Sequence, residues 1–287
     1  MPTFNTAEPI AVKLDLVAAD VRITAGNRAD TVVEVTPTSE NEVDIRAAEQ
    51  TQVEYSDGKL LIKSPKRRRK LFGRGSPADD QRYGAIKVAI ELPEGSSVRG
   101  TAALGHLRAT GALGDLRFKT AAGDVDLDEV NALEVESAVG MVDVRHVAGN
   151  ADVTTAQGDI RIPRILGTAV VKNLNGSTAL GVVTGTLKVK GVNGDIVVRE
   201  AAADVEIKTS NGDVRIDEVV RGSVVVETAR GSLNVGVRDG SSVWLALNAL
   251  VGGVRNDLDD AEGPSGAGES VKVSAQTMFG NIHIRRA

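Results

Sequence analysis

The sequence predicts an all-β fold, a parallel β-solenoid of about 18 residues per turn in two sheets. Three observations predict it. One short phrase recurs at nearly fixed intervals, a glycine holds the same place in each copy, and apolar and polar residues alternate strictly on either side of that glycine. The phrase reads TAAGDVDL from Thr120, TAQGDIRI from Thr155, GVNGDIVV from Gly191 and TSNGDVRI from Thr209.

The anchor glycines are Gly123, Gly140, Gly158, Gly176, Gly194, Gly212, Gly231 and Gly280, and the first seven are 17 to 19 residues apart. Positions −7, −5, +2 and +4 from the anchors are apolar in 31 of 32 cases, the exception being Thr178. The interleaved positions −6, −4, +1 and +3 are apolar in only 5 of 32. A period of two belongs to a strand with one buried face, not to a helix. Each unit therefore carries two strands. A single unit cannot bury its own apolar face, so units must stack, each adding one strand to each of two facing parallel sheets about 10 Å apart. The crossover preference of parallel strands makes the expected winding right-handed.

The anchor glycine marks the corner between strands, where a positive φ excludes most side chains. Asn193 and Asn211 precede it and suit a tight turn. Thr120, Thr155, Thr209, Thr228 and Thr277 stand three residues earlier, where hydroxyls can bond to corner backbone.

Weaker turns flank the regular ones: Val12–Ile23 about Ala19, Thr51–Ile62 about Gly58, Val98–Ala109 about Gly105 and Leu245–Asn256 about Gly252. The expected organisation is one domain. Residues 1–100 form irregular turns with a basic loop at 64–83, and 101–256 form regular turns. An acidic loop at 257–269 and a final turn at 270–287 follow. Ten or eleven turns at about 4.8 Å each would make a rod of roughly 50 Å. Phe4 and Phe279 are the candidate caps of its ends.

Composition narrows the function classes. The chain has 287 residues, a net charge of −5, 41% hydrophobic but only 2% aromatic residues, and no cysteine. The core must be thin and aliphatic, and disulfides, thiolate metal sites and cysteine nucleophiles are excluded. The mild negative charge argues against nucleic acid as the partner. No basic segment followed by an apolar stretch opens the sequence, which predicts cytoplasmic placement.

No residues are expected to be catalytic, to bind a cofactor or to hold a metal. The residue after each anchor (Asp124, Met141, Asp159, Ser177, Asp195, Asp213, Ser232, Asn281) is too irregular for a calcium ladder and reads as corner hydrogen bonding. His106, His146 and His283 fall on different turns. A carbohydrate-active enzyme would need paired carboxylates on one face, and the outward residues mix their signs. The sharpest local signal is Lys66, Arg67, Arg68, Arg69, Lys70, Leu71 and Phe72, five cations and an apolar foot, a candidate interaction loop for protein or for weak contact with an anionic surface. Its acidic counterpart is Asp257, Asp259, Asp260 and Glu262. Contact between the two loops of neighbouring copies would join chains head-to-tail.

The GDV/I-x-V/I pattern, with ADTVVEVTP (Ala29–Pro37), VAIELPEGS (Val88–Ser96) and the closing FGNIHIRRA (Phe279–Ala287), resembles the bacterial β-strand-repeat family of candidate adhesins, in its actinobacterial, signal-less branch. The resemblance covers nearly the whole chain. It implies a parallel β-solenoid, supplies no catalytic residues, and suggests an accessory role beside a membrane transporter complex. The expected function is a non-enzymatic scaffold that binds protein partners. A self-assembling rod is the alternative.

Overall fold

The computed structural model describes residues 1–65, 84–258 and 269–287. The fold is all-β, with two sheets dominated by parallel pairing and a single short helix among the described residues. The chain gathers into two compact units, Met1–Asn131 with Val135–Val139, and Ala132–Glu134 with Gly140–Ala287.

The first unit contains β1 (Thr3–Asn5), β2 (Ala11–Asp15), β3 (Ala19–Gly26), β4 (Asp30–Pro37), α1 (Glu42–Glu49), β5 (Gln52–Ser56), β6 (Lys59–Lys63), β7 (Ile86–Pro93), β8 (Ser97–Leu104), β9 (Leu107–Leu113), β10 (Leu116–Ala122), β11 (Val125–Val130) and most of β12 (Leu133–Val139). One sheet here runs β1-β4-β7-β3-β9-β11 and the other β5-β6-β2-β8-β10-β12. Parallel pairing gives way at the margin, where β1, β4 and β5 pair antiparallel with their neighbours. Phe4 of β1 and Tyr55 of β5, on the margins of the two sheets, bring their ring centroids to 5.0 Å.

One expectation fails in this region. Thr51–Ile62 is not a solenoid turn about Gly58. β5 and β6 form a hairpin within one sheet, because Asp57 and Gly58 both take positive φ (49° and 72°), the conformation of a two-residue hairpin turn. Helix α1 also went unforeseen. Asn41 caps it by accepting from the Asp44 backbone N–H at 2.8 Å, and buried Asp44 accepts in turn from the Ala85 N–H at 2.8 Å and the Ser39 hydroxyl at 2.7 Å. The helix is only eight residues long and leaves Val43 and Ile45 partly exposed, so its sequence carried little helical period.

The second unit contains β13 (Val142–Val147), β14 (Ala151–Gln157), β15 (Ile160–Ile165), β16 (Ala169–Asn175), β17 (Thr178–Val183), β18 (Leu187–Asn193), β19 (Ile196–Ala201), β20 (Val205–Asn211), β21 (Val214–Val219), β22 (Gly222–Arg230), β23 (Leu233–Val237), β24 (Ser242–Val251), β25 (Val254–Asp257), β26 (Ser270–Phe279) and β27 (Ile282–Arg286). Its sheets run β13-β15-β17-β19-β21-β23-β27-β25 and β14-β16-β18-β20-β22-β26-β24. Neighbours pair in parallel at an 18-residue offset, as in Ala151↔Ala169, Ala169↔Leu187 and Leu187↔Val205. Between the sheets the inward aliphatics are sealed: Val153, Val171, Val189, Ile207, Ile162, Val198 and Ile216 are fully buried. Thr178, the polar exception among the inward positions, lies 3.4 Å from the Asn173 amide nitrogen, so two polar side chains share that level of the core.

The corners show why the phrase repeats. Gly194 and Gly212 have φ of 129° and 142°. Each also sits directly against the backbone of the preceding corner, so that a Cβ on Gly194 would meet the Gly176 carbonyl oxygen at 2.2 Å. The residue after the anchor bonds to the next turn: Asp195 Oδ1 accepts from the Asp213 N–H at 2.9 Å, and Asp159 Oδ1 from the Ser177 N–H at 2.7 Å. Of the threonines, Thr277 donates to the Gly231 carbonyl at 3.0 Å and Thr228 to the Gly212 carbonyl at 3.4 Å, whereas the Thr120, Thr155 and Thr209 hydroxyls are buried without a partner among the described residues.

Chain order and spatial order part company at the end of this unit. The last turn in sequence, β26–β27, is spliced between β22–β23 and β24–β25. The outermost turn is therefore β24–β25. Phe279 is half exposed at the end of β26 and caps nothing.

Candidate functional site

The described residues bring one group of outward side chains together in a groove, on the face of β2, β8 and β10 in the first unit. Strand pairing dictates the grouping. Lys13 stands opposite Arg99, and Arg99 opposite Arg117, so three cations line up across three strands, about 4.8 Å apart at the backbone. The adjacent row holds Asp15, Thr101 and Lys119, and Lys63 of β6 lies opposite Asp15. Lys13, Arg99, Arg117, Asp15, Thr101 and Lys119 line a shallow groove of about 340 Å³. Leu14 and Gly100, both inward-facing, lend their backbone to its floor, and the Phe118 ring fills the core beneath Gly100. A Cβ at Gly100 would meet the ring at 2.6 Å.

Like charges directly opposite one another destabilise a sheet. Asp15 and Glu136 offset part of the charge, and Glu136 takes Lys119 at 2.7 Å. Among the described residues, neither Lys13 nor Arg99 has a carboxylate in ion-pair contact. On other columns some outward cations are matched, Arg108 with Asp126 at 3.0 Å, Lys188 with Glu206 at 2.6 Å and Lys208 with Glu227 at 3.1 Å, while Lys172 and Lys190 stand opposite one another as a second cation line that ends on Lys208. The Lys188 contact holds the Glu206 carboxyl below its ordinary pKa. Lys13 and Arg99 are thus the groove cations that an added anion would meet.

The side chains singled out by sequence are distributed differently. Lys66, Arg67, Arg68, Arg69, Lys70, Leu71 and Phe72 lie outside the described residues, as do Asp259, Asp260 and Glu262. Asp257 ends β25 and belongs to a strand instead of a loop. It accepts from Arg255 at 2.8 Å and pairs with His283 Nε2 at 2.9 Å, and both contacts hold its carboxyl below the usual range. His106 meets Asp124, accepting from its backbone N–H at 3.1 Å. His146 lies in β13 and His283 in β27, so the histidines form no common site. No group of three or more histidines and carboxylates that could hold a metal occurs among the described residues.

Lys13, Arg99, Arg117 and Lys119 escaped sequence reasoning. Arg99 and Arg117 are one 18-residue period apart and both face outward, so that pair was open to detection. Lys13 was not, because β2 reaches β8 across a large separation in sequence, as in the contact of Asp15 with Thr101, 86 residues apart.

Residues 10–242 match the family Toastrack DUF4097. The chain belongs to the Toastrack DUF4097 family. The match begins just before β2 and takes in every strand of the basic groove. Solved structures similar to this Toastrack chain include a candidate adhesin from Bacteroides fragilis (16% identity, 99% of this chain and 95% of that one, TM-score 0.34). Others are a candidate lipid binding protein from Parabacteroides distasonis (14%, 98% and 95%, 0.39) and a candidate cell adhesion protein from Clostridium sporogenes (12%, 99% and 94%, 0.23). Overlaps this loose carry no inference about what the Toastrack chain binds. No curated protein matches it.

Proposed function

We propose that the chain is a non-catalytic β-solenoid scaffold that binds protein, and that the outward face of β2, β8 and β10 receives an acidic segment of the partner. The observation that carries this reading is the line Lys13–Arg99–Arg117 beside Lys119, held in one groove by strand register. Parallel strands set such side chains on a rigid lattice, so an extended peptide with carboxylates at alternate positions can meet them with little loss of freedom on the scaffold side. Guanidinium groups favour carboxylates because they bond to them in a fork. Among the described residues, no aromatic side chain on which a base or a sugar ring could stack lines the groove.

The test is fluorescence anisotropy of a labelled oligoglutamate peptide on the full chain. Binding should weaken at least tenfold in Arg99→Glu and in Arg117→Glu, and fall steeply with salt. Binding indifferent to both substitutions would remove the assignment. So would capture by anionic phosphatidylserine vesicles with no binding of the peptide.

A further inference from the structure

Among the described residues, the outermost turn of the second unit, β24–β25, leaves two strand edges unpaired at once. Ser242 donates its backbone N–H to the Glu269 carbonyl, so even-numbered residues of β24 bond to β26, and Val243, Leu245, Leu247 and Ala249 direct their N–H and C=O groups to the open side. On β25, the Gly253 carbonyl accepts from the Ile282 N–H, which leaves the backbone groups of Val254 and Asn256 on the open side. The inward side chains tell the same story. Val271, Val273, Ala275, Ile282 and Ile284 of the neighbouring turn are at most 1% exposed, whereas Leu245, Leu247 and Ala249 are only half-buried and Val254 is 49% exposed. Trp244 and Leu250, on the outer face of β24, are about 70% exposed (71% and 69%). Exposed, unpaired apolar edges pair with another chain unless they are covered.

We infer that a second copy of this chain covers this edge, in an isologous dimer whose twofold axis crosses β24 at Leu247 and β25 at Asn256. The two strands agree on that axis independently. About Leu247, antiparallel pairing sets Leu247 against its own counterpart as a hydrogen-bonded pair, with Leu245 opposite Ala249 of the other copy and Trp244 opposite Leu250. About Asn256, the same operation sets Arg255 opposite Asp257 as a non-hydrogen-bonded pair, the arrangement in which side chains come closest. Leu247 stands five residues before the corner glycine Gly252 and Asn256 four after it, so one axis normal to both sheets meets both. The edge is therefore complementary to itself in hydrogen bonding, in apolar surface and in charge. A second copy also offers both strand edges at the same sheet spacing. This joins identical ends and so closes on a dimer, unlike a head-to-tail contact, which propagates.

Sedimentation equilibrium of the full chain tests it, with Trp244, the sole tryptophan, as a reporter. The mass should double with concentration, and the Trp244 emission should move to shorter wavelength in step. Arg255→Asp places two carboxylates opposite each other, and Asp257→Arg places two guanidinium groups there. Each variant alone should be monomeric, and an equimolar mixture should recover the dimer as a heterodimer, which a misfolded variant would not do. A wild-type monomer at all concentrations up to about 100 μM overturns the inference. A dimer that survives both substitutions does so too. If the wild type is monomeric and deletion of residues 259–268 produces the dimer, the occupant is the chain's own segment and the inference fails.

Discussion

Gly212 packs so closely over Gly194 that a Cβ on Gly212 would lie 2.1 Å from the Gly194 carbonyl oxygen. The glycine answers two demands together, a φ of 142° and a backbone neighbour one turn away. Gly212→Ala should therefore cost about 3 kcal/mol or more, above the roughly 1–2 kcal/mol of left-handed strain alone. Chemical denaturation checks this, and Gly58→Ala is the comparison. Gly58 has positive φ with open space around it, so its substitution should cost only the strain.

Phe118 and Gly100 share one space, with a Cβ at Gly100 meeting the Phe118 ring at 2.6 Å. Phe118→Leu and Gly100→Ala should each destabilise, by about 1–3 kcal/mol, the first through lost volume and the second through crowding. The double variant should cost less than the sum, since the smaller side chain vacates the space that the new methyl needs. A double-mutant cycle by urea unfolding measures the difference, and strict additivity would contradict the packing.

Asn211, Asn193 and Asn175 form a ladder on the outer corner. Asn211 donates to the Asn193 side-chain oxygen at 2.9 Å and Asn193 to that of Asn175 at 2.8 Å. The middle rung takes part in both bonds. Asn193→Ala should lower stability by about 1–2 kcal/mol, and Asn211→Ala by about half as much, since exposed hydrogen bonds contribute modestly. Melting temperatures of the two variants should keep that order.

Asp44 makes stability depend on acid. Hydrogen bonds from Ser39 first, and then from the Ala85 backbone and Asn41, hold its carboxyl below the ordinary value. A depressed pKa in the folded state contributes stability that is present above the unfolded value near pH 4 and is lost as pH falls through the folded one. Asp44→Asn should be less stable than wild type at pH 7, and the gap should narrow below pH 4. Unfolding midpoints from pH 7 to pH 2 would show it. A gap that stays constant would assign the loss to something other than the carboxylate.

Much of the fold was legible because a stacked β turn writes its rules locally. Alternation about Gly194 and Gly212 names the inward residues Val189, Val198, Ile207 and Ile216, and each is buried as read. Thr178, the exception, is buried as well, with Asn173 as its neighbour. Where the local rule is shared by two structures, the reading went astray. A corner glycine and a hairpin glycine look alike in sequence, and Gly58 proved to be the second kind. The basic groove was half legible, through the one-period spacing of Arg99 and Arg117, and Lys13 completes it from a distant strand.

By itself, then, the sequence determined which residues face inward, where the corners fall and why only glycine fits them, since all of this follows from a period of two and a repeat of 18. Tertiary structure alone decided the order in which turns stack. β26–β27 enters between β22–β23 and β24–β25, and β2–β3 lies against β8–β9, because every turn presents the same aliphatic face and the same backbone ladder to any neighbour. A repeat specifies how turns pair without specifying which turns do, and that choice sets both the cation line of the groove and the open edge at β24.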